Sequence, residues 1–280
     1  MRIALASCKR LPEPDPDEEL LVSALRSAGI ETSILAWDDE AAPFAAHDVV
    51  VLRSTWNYYE RVDDFVAWAK KTARSTKVWN PPAIVAANAK KTYLRDLAAR
   101  GIDVVPTEWV SRGARRSIRE MLDAQGWDAV VVKPVVSAGS YRTKRFDRAS
   151  VAAGQSFLDD LVRDREAMVQ KWMPAVETYG ERSLVWIDGE VTHAIRKSPR
   201  FAGGSEEVSG DIAIAPDERA FAERVVAPLA SELLYARIDT IRDGDTLRVM
   251  ELELIEPSLF FRQSAPALER FVRAVASRAK

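Results

Sequence analysis

A pair of segments near the end of the chain constrains the fold more than any other feature of the sequence. Residues 235–241 and 247–255 are mainly apolar with charged residues at intervals, and Asp-Gly-Asp at 243–245 separates them. This pattern predicts two antiparallel strands joined by a tight turn. Because alternate residues of a strand share a face, the charged side chains of each segment point the same way.

The length of the turn decides which charged side chains come together. We expect an odd loop at 243–245, which pairs Asp239 with Val249. That register also pairs position 237 with 251, and it puts Asp239 on the same face as Glu251 and Glu253. A loop of two residues would split the three carboxylates between the two faces.

Three carboxylates on one face repel each other unless a positive charge lies among them. Oxygen ligands with free coordination positions suit an Mg²⁺ ion that also holds phosphate oxygens. The alternative is an exposed amphipathic hairpin whose acids merely face water, since Glu-Leu-Glu-Leu is also typical of a half-buried strand. The hairpin alone leaves both interpretations open.

Composition narrows the class of protein. A chain of 280 residues is too long for one small core, and 40 Lys and Arg against 42 Asp and Glu give no basic excess that would indicate nucleic-acid binding. No apolar run approaches the roughly 20 residues of a membrane helix, and the N-terminus predicts a strand and not a signal peptide. We therefore expect a cytoplasmic protein. One cysteine and two histidines leave few parts for a zinc site or a Ser-His-Asp triad.

The first 80 or so residues alternate predicted strands and helices, which indicates a small open α/β sheet. Ligands of such sheets lie beyond the carboxyl ends of the strands. The segment 53–59 directly follows a buried strand and supplies a guanidinium group, hydroxyls and aromatic rings. It fits a substrate site and, equally well, a polar loop whose aromatic rings pack against the core.

Candidate anion ligands lie in the middle of the chain. Lys133 ends the buried strand 129–133, where an ammonium group without an anionic partner is costly, so the position suits a nucleotide phosphate. The small-residue loop 137–143 can fold backbone N–H groups over phosphates, although it has the spacing of neither a P-loop nor a dinucleotide fingerprint. By themselves Lys90 and Lys91, in the helical stretch predicted over 83–100, are typical of a solvated surface.

Three features follow along the chain. Residues 172–174 come after a further strand and predict a hinge whose backbone can pair with an adenine edge. A predicted hairpin that turns at 188–189 ends in the basic pair Arg196 and Lys197. The long segment 198–211, which contains two adjacent glycines, indicates a flap over a site and precedes a helix predicted over 216–234.

The order of these features is more specific than any one of them. It runs from an Asn-x-Lys helix through a Val-Val-Lys-Pro strand, a Gln-Lys-Trp-Met hinge and a Gly-Glu-Arg-Ser hairpin ending in Arg-Lys to Arg-Ile-Asp and Glu-Leu-Glu-x-x-x-Pro-Ser. This succession resembles the ATP-grasp superfamily over most of the chain, its glutathione synthetase-like branch in particular. Arg-Ser-Thr-Trp-Asn-Tyr, Gly-Glu-Arg-Ser-Leu-Val-Trp, His-Ala-Ile-Arg-Lys and Glu-Leu-Glu-Leu-Ile-Glu-Pro are most similar to the O-ureidoserine cyclo-ligases of cycloserine synthesis.

The resemblance implies an ATP-grasp fold of the α/β class with α+β lobes, preceded by a pre-ATP-grasp α/β domain. It divides the chain into an N-terminal substrate-side domain, a linker helix and strand, a small ATP-grasp lobe and a large C-terminal lobe, at 1–82, 83–110, 111–173 and 174–280. Proteins of this branch are often dimers or tetramers, so the resemblance leaves a homo-oligomer open.

The resemblance also implies roles for individual residues. The ligands of one or two Mg²⁺ ions would be Asp239, Glu251 and Glu253, and Glu253 departs from the family pattern, which commonly has asparagine there. The transferring phosphoryl group would be neutralised by Arg196, Lys197 and Arg237. The substrate would meet Arg53, Thr55, Trp56, Tyr58 and Ser258. ATP would be held by Lys133, one of Lys90 and Lys91, the loop residues Ser137, Gly139 and Ser140, the hinge residues Gln170, Trp172 and Met173, and Glu177 or Glu181.

Together these roles imply an ATP-dependent carboxylate–amine ligase that acts through an acyl phosphate on a small amino-acid-like substrate and closes a ring within one molecule. The sequence keeps two alternatives open, an intermolecular amino-acid or peptide ligase and a non-catalytic ATP-binding regulatory module. A Rossmann-like enzyme is disfavoured because no Gly-x-Gly-x-x-Gly follows the first strand.

Overall fold

The computed structural model describes residues 1–197 and 208–278. Its N-terminal sheet is parallel, with the strand order β2-β1-β3-β4. The apolar run that forms β3 is buried along its whole length, as expected of a strand covered on both faces. The elements of this region are β1 (Arg2–Ser7), α1 (Glu18–Ser27), β2 (Glu31–Ala36), β3 (Val49–Leu52), α2 (Val62–Thr72) and β4 (Lys77–Trp79).

Two short helices, α3 (Pro82–Asn88) and α4 (Tyr93–Ala99), connect the N-terminal sheet to the next one. The sequence predicted a continuous helical stretch over 83–100, and that prediction was wrong between them. The chain leaves the helix because the Lys91 amide donates to the carbonyl of Val135, 2.9 Å away, instead of to its own preceding turn. This break directs the side chain of Lys91 into the centre of the molecule.

The middle sheet is antiparallel, in the order β5-β8-β6-β7, and helices α5 and α6 pack against it. Helix α5 begins where the Ser117 hydroxyl accepts a hydrogen bond from the Glu120 amide, and it ends at Gly126 with φ of +63°. The elements are β5 (Thr107–Val110), α5 (Ile118–Gln125), β6 (Ala129–Pro134), β7 (Lys144–Asp147), α6 (Val151–Val162) and β8 (Ala167–Lys171).

The third sheet is also antiparallel, in the order β10-β9-β11-β12. The helix predicted over 216–234 ends earlier, at Val226, because Pro228 lacks the N–H group that would continue the α-helical hydrogen bonds, and a 3-10 turn at Ala227–Leu229 follows. The elements are α7 (Ala175–Thr178), β9 (Glu181–Ile187), β10 (Glu190–Lys197), α8 (Pro216–Val226), β11 (Tyr235–Asp243), β12 (Thr246–Glu253) and α9 (Ala265–Arg278). The flap predicted over 198–211 falls largely outside the described residues.

The β11–β12 register differs from the predicted one. Asp243 pairs with Thr246, so the turn contains two residues and not an odd number. The register then shifts between Thr240, which pairs with Val249, and Asp239, which pairs with Glu251. Met250 is therefore an extra residue, a β-bulge.

The bulge reverses the effect of the short turn. Continued without it, the two-residue turn would place Glu251 beside Ile238, on the face opposite Asp239. With it, Asp239 lies across from Glu251, and Arg237 lies across from Glu253. The predicted residue pairing was wrong. The three carboxylates nevertheless share one face of the sheet, as predicted, because the bulge compensates for the two-residue turn.

Side chains from the connecting helices cover the free edge of β12. The Asn88 amide donates to the Leu252 carbonyl at 2.9 Å and accepts from the Leu254 amide at 2.9 Å. The Leu252 amide donates to the Tyr93 hydroxyl at 3.1 Å. These contacts satisfy backbone groups that an edge strand would otherwise expose, and they fix the end of β12. No helix in the described ranges is long and apolar enough to span a membrane.

Candidate active site

A cavity of about 1000 Å³ is lined by residues of all three sheets and the loops between them. Seventeen of the residues predicted from the sequence line it, and Asp239 lies at its most buried wall with 1% of its surface exposed. They are Trp56, Tyr58, Lys91, Lys133, Ser137, Gly139, Ser140, Gln170, Trp172, Met173, Glu181, Lys197, Arg237, Asp239, Glu251, Glu253 and Ser258.

Asp239 is held by three neighbours. Lys197 Nζ lies 2.9 Å from Oδ2, Arg237 donates from Nη2 to Oδ2 and from Nε to Oδ1 at 2.9 Å each, and Ser183 donates to Oδ1 at 2.5 Å. Burial by itself raises the pKa of the Asp239 carboxyl, but the charges of Arg237 and Lys197 outweigh it and hold that pKa well below its ordinary value. Asp239 is therefore an anion.

Glu251 bridges two lysines from different parts of the chain. Its Oε1 lies 2.7 Å from Lys133 Nζ, and its Oε2 lies 2.8 Å from Lys91 Nζ. Burial opposes ionisation of Glu251, and the two ammonium groups overcome it and lower its pKa. Lys90, by contrast, is exposed and lies outside the cavity lining. Of the two lysines that the sequence left open, Lys91 is the one at the site.

Two further carboxylates complete the charged wall. Glu253 forms an ion pair with Arg237, and Glu181 forms one with Lys197. Burial raises the pKa of Glu181 to about 7, because the Lys197 charge only partly offsets burial and the nearby Asp239 charge adds to it. The four acidic and four basic side chains of this wall thus neutralise one another, as buried charges require.

The donor set is of a kind that suits magnesium. Carboxylate oxygens are the ligands that Mg²⁺ prefers, and Glu251 and Glu253 line the cavity beside Asp239. Each of these oxygen sets is paired with a lysine or arginine, and within 1–197 and 208–278 no three acidic, His or Cys side chains converge closely enough to share an ion as they stand. The residues fit the metal by chemistry, and binding would require the cations to exchange partners.

The other end of the cavity is built by the middle sheet. Gln170 donates from its amide to the Thr107 hydroxyl at 3.2 Å, and the Trp172 ring lies under the Arg145 guanidinium at 4.8 Å. The loop of Ser137, Gly139 and Ser140 covers this end, with left-handed backbone at Gly139 and at Ser140 (φ +56° and +60°).

Five predicted residues lie elsewhere. Lys90, Glu177 and Arg196 are exposed and outside the lining, and the Arg196 guanidinium donates to the Thr178 carbonyl at 3.0 Å. Strand alternation explains why Arg196 lies outside the cavity. Its neighbour Lys197 in β10 faces the cavity, and adjacent side chains of a strand point to opposite faces. Arg53 and Thr55 are buried, 3% and 0% exposed, and neither lines the cavity.

Arg53 instead holds the loop 254–259, which follows β12. All six carbonyl oxygens of this loop lie within hydrogen-bond distance of a side-chain donor, at 2.6–3.4 Å. The donors, in the order of the carbonyls, are Asn80, Tyr235, Trp56, Arg53, Arg237 and His193. Asp17 also accepts from the Leu259 amide at 3.1 Å. A loop held at every residue presents its own side chains to the cavity in one arrangement.

Glu256 was not among the site residues predicted from the sequence. Its side chain lines the cavity and is 8% exposed, and burial, together with the nearby Glu253 charge, raises its pKa to about 8. It follows the last residue of β12 by three positions, where strand alternation no longer assigns a face. Tyr93 and Arg145, which also line the cavity, were missed as well.

Comparison with known proteins places this architecture in a family. Residues 3–80 match the model of the D-cycloserine synthetase DcsG N-terminal domain. The cycloserine biosynthesis protein DcsG of Streptomyces lavendulae is 30% identical over 283 aligned positions, which cover 95% of each protein. The crystal structure of D-cycloserine synthetase DcsG superposes with a TM-score of 0.91 at 29% identity, over 100% of both chains.

A more distant structure shares the fold. The ATP-grasp ligase PsnB, solved with Mg, ADP and a precursor variant, superposes with a TM-score of 0.67 at 16% identity, over 99% of this chain and 98% of that one. The predicted ATP-grasp fold of the α/β class is thereby confirmed. This chain belongs to the DcsG family of ATP-grasp ligases and is an ATP-dependent ligase.

Proposed function

We propose that this ligase activates the carboxylate of a small amino-acid-like substrate with ATP and closes a ring onto a nitrogen of the same molecule, making cycloserine from O-ureidoserine. The observation that carries the proposal is the wall of paired charges in the cavity, where carboxylates hold the side chains of Lys91, Lys133, Lys197 and Arg237. The family relationship to DcsG supports the choice of product.

The phosphate groups of ATP would replace Glu251 as the hydrogen-bond partners of Lys91 and Lys133. A carboxylate oxygen and a phosphate oxygen are both anionic acceptors of an ammonium hydrogen bond, so Lys91 and Lys133 can pass from Glu251 to ATP without losing a partner. The loop with Ser137, Gly139 and Ser140 would cover the phosphates with backbone N–H groups, as its left-handed residues suit. Adenine would lie at the hinge of Gln170, Trp172 and Met173, and Glu181 would accept the ribose hydroxyls.

Release of the lysines would free Glu251 for magnesium. Asp239, Glu251 and Glu253 would then hold Mg²⁺, which when bound neutralises charge on the phosphates. This exchange of partners conserves the charge balance. The lysines that leave Glu251 gain phosphate oxygens, and the carboxylates gain Mg²⁺. The number of ions depends on Glu253, where the family commonly has a neutral asparagine.

The reaction needs no protein nucleophile. A carboxylate oxygen of the substrate attacks the γ-phosphorus of ATP, the bond to the β-phosphate oxygen breaks, and ADP leaves. The substrate nitrogen that is bonded to oxygen loses its proton and attacks the acyl carbon, and inorganic phosphate departs with one of the former carboxylate oxygens. Water then cleaves the carbamoyl group from that nitrogen, and the group leaves as carbamate, which breaks down to carbon dioxide and ammonia. Lys197 and Arg237 stabilise the negative charge on the transferred group, which is how such sites accelerate phosphoryl transfer.

Water must be kept from the acyl phosphate. The Tyr141 ring, on the loop that covers the cavity, packs against Tyr59 of the N-terminal region with ring centroids 4.7 Å apart. This contact joins the phosphate-covering loop to the segment proposed to meet the substrate. It supports a closed arrangement in which hydrolysis of the intermediate is slow.

The proposal is tested by ADP release from Mg-ATP with O-ureidoserine, compared with serine, alanine and cycloserine as alternative substrates. ADP release that depends on O-ureidoserine, together with a cyclic product identified by mass spectrometry, is the expected result. An exposed-site variant, Glu232→Gln, is the matched control for Glu251→Gln, which should abolish release. ADP release that requires a second amino acid and gives a linear product would contradict ring closure.

A further inference from the structure

The loop 254–259 presents one acidic side chain to the cavity that the proposed chemistry does not use. Glu256 is 8% exposed and lines the cavity together with Ser258, Trp56 and Tyr58. Its backbone carbonyl accepts a hydrogen bond from Trp56 Nε1 at 2.9 Å, so the residue is fixed by the N-terminal region. Glu256 therefore lies where that region meets the carboxylate hairpin.

Glu256 differs in its partners from the four acids of the charged wall. Asp239, Glu251, Glu253 and Glu181 each form an ion pair with a lysine or arginine. Across 1–197 and 208–278, no lysine or arginine forms an ion pair with Glu256. A carboxylate in such a position suits a cation that arrives from outside the protein.

The surroundings favour an ammonium group over a metal ion. Trp56 and Tyr58 stand on the same wall, and aromatic faces attract organic cations. Burial raises the pKa of the Tyr58 hydroxyl, and the charge of Glu256 is the next cause, which puts the phenol close to that carboxylate. A neutral phenol and a hydroxyl at Ser258 offer further acceptors for an N–H group.

We propose that Glu256 binds the ammonium group of the amino-acid substrate and selects for substrates that carry one. The proposal rests on the proposed ligase function and deepens it. With the ammonium group held at Glu256, the carboxylate on the same carbon atom would be directed to the phosphates beside Arg237 and Lys197, which line the same cavity. Anchoring a substrate at a group that does not react is a common way to position the group that does.

Burial, followed by the Glu253 charge, raises the pKa of Glu256, which agrees with a carboxylate that forms no ion pair within the described residues. The charges that face it are those of Glu253, Lys91 and Arg237. Of these, Lys91 and Arg237 are already paired with Glu251 and with Asp239 and Glu253. An arriving ammonium group would add the positive charge that these pairs leave uncompensated.

The test is the affinity of full-length protein for O-ureidoserine, measured by calorimetry with ADP and Mg²⁺ present, for wild type and Glu256→Gln. Glutamine keeps the shape and removes the charge, so binding should weaken roughly 10- to 100-fold. The analogue that lacks the amino group, 3-(ureidooxy)propanoate, should bind both proteins equally. Glu60→Gln, an exposed change in the adjoining segment, should match wild type.

Three outcomes would overturn the proposal: equal affinity of wild type and Glu256→Gln for the amino acid, equal weakening for the analogue, or a changed Mg²⁺ requirement, which would indicate a metal ligand. Failure of the proposed ligase function looks different. In that case wild type binds the amino acid through Glu256 and yet releases no ADP from Mg-ATP. Conversely, if Glu256→Gln releases ADP with an unchanged KM for O-ureidoserine, the ligase function stands and the ammonium subsite at Glu256 is rejected.

Discussion

Glu251 lies directly across from Asp239 because Met250 is an extra residue in β12. A two-residue turn alone would have turned Glu251 to the other face of the sheet, away from Lys91 and Lys133. The bulge therefore assembles the carboxylate wall. Bulges commonly redirect a side chain beside an active site, and this one redirects the whole segment from 251 onward.

The first prediction concerns the shared partner of the two lysines. Glu251→Gln leaves Lys91 and Lys133 without their carboxylate, and it should lower the free energy of unfolding by about 3 kcal/mol, the lower end for a buried pair. The lower end applies because 22% of the Glu251 side chain remains exposed. Thermal unfolding without ligand measures this, with Glu232→Gln as the surface control.

The same variant tests the exchange of partners. ATP without magnesium should raise the melting temperature of Glu251→Gln more than that of wild type, because phosphate supplies the missing anion to both lysines. If ATP stabilises the two proteins equally, the lysines do not pass from the carboxylate to the phosphates.

The second prediction compares the contributions of the adjacent residues Lys90 and Lys91 to ATP binding. Lys91→Met removes an ammonium group from the cavity and should raise KM for ATP by roughly 10- to 100-fold, the loss expected for a hydrogen bond between charged groups. Lys90→Met changes an exposed side chain and should leave KM for ATP unchanged. Steady-state ADP release compares the pair, and a larger effect at Lys90 would contradict the assignment.

The third prediction concerns the anchored loop. Trp56→Phe keeps an aromatic side chain, although a smaller one, and removes the N–H group that donates to the Glu256 carbonyl at 2.9 Å. Loss of one neutral hydrogen bond should raise KM for the amino-acid substrate by about 3- to 10-fold and leave KM for ATP unchanged. Equal changes in both constants would mean that Trp56 supports the whole cavity and not the loop alone.

The fourth prediction follows from the pKa of Glu256, which burial raises from 4.5 to about 8. A carboxyl whose pKa is higher in the folded state stabilises the protein below its unfolded pKa, and that contribution is lost as pH rises through the folded value. The melting temperature of wild type should therefore fall relative to that of Glu256→Gln between about pH 5 and pH 8. A difference that stays constant across this range would contradict the burial of an unpaired carboxyl.

Much of the fold could be predicted because its signals are local. Alternation and turn residues identified the strands of the N-terminal sheet, and the buried run before Lys133 marked β6. The order of motifs then identified the ATP-grasp fold. The bulge at Met250 carried no comparable signal, since nothing in the local sequence distinguishes a bulged methionine from a paired one.

Side-chain roles depended on contacts that sequence spacing does not encode. Arg53 follows a buried strand, as a substrate ligand would, but tertiary packing turns it to the Pro257 carbonyl at 3.1 Å. Glu256 could not be assigned to the site from the sequence because it lies beyond the end of β12. There the direction of its side chain depends on contacts that the loop makes with distant parts of the chain. Alternation along β10, applied to the pair at 196–197, would have separated Lys197 from Arg196 in advance.

Activation of the substrate carboxylate as an acyl phosphate is tested directly by an isotope measurement. O-Ureidoserine labelled with the heavy oxygen isotope in both carboxylate oxygens is converted with Mg-ATP, and the inorganic phosphate is examined by mass spectrometry. Each phosphate released should carry one labelled oxygen. Turnover that yields unlabelled phosphate would contradict it, because the carboxylate oxygen would then never have been bonded to phosphorus.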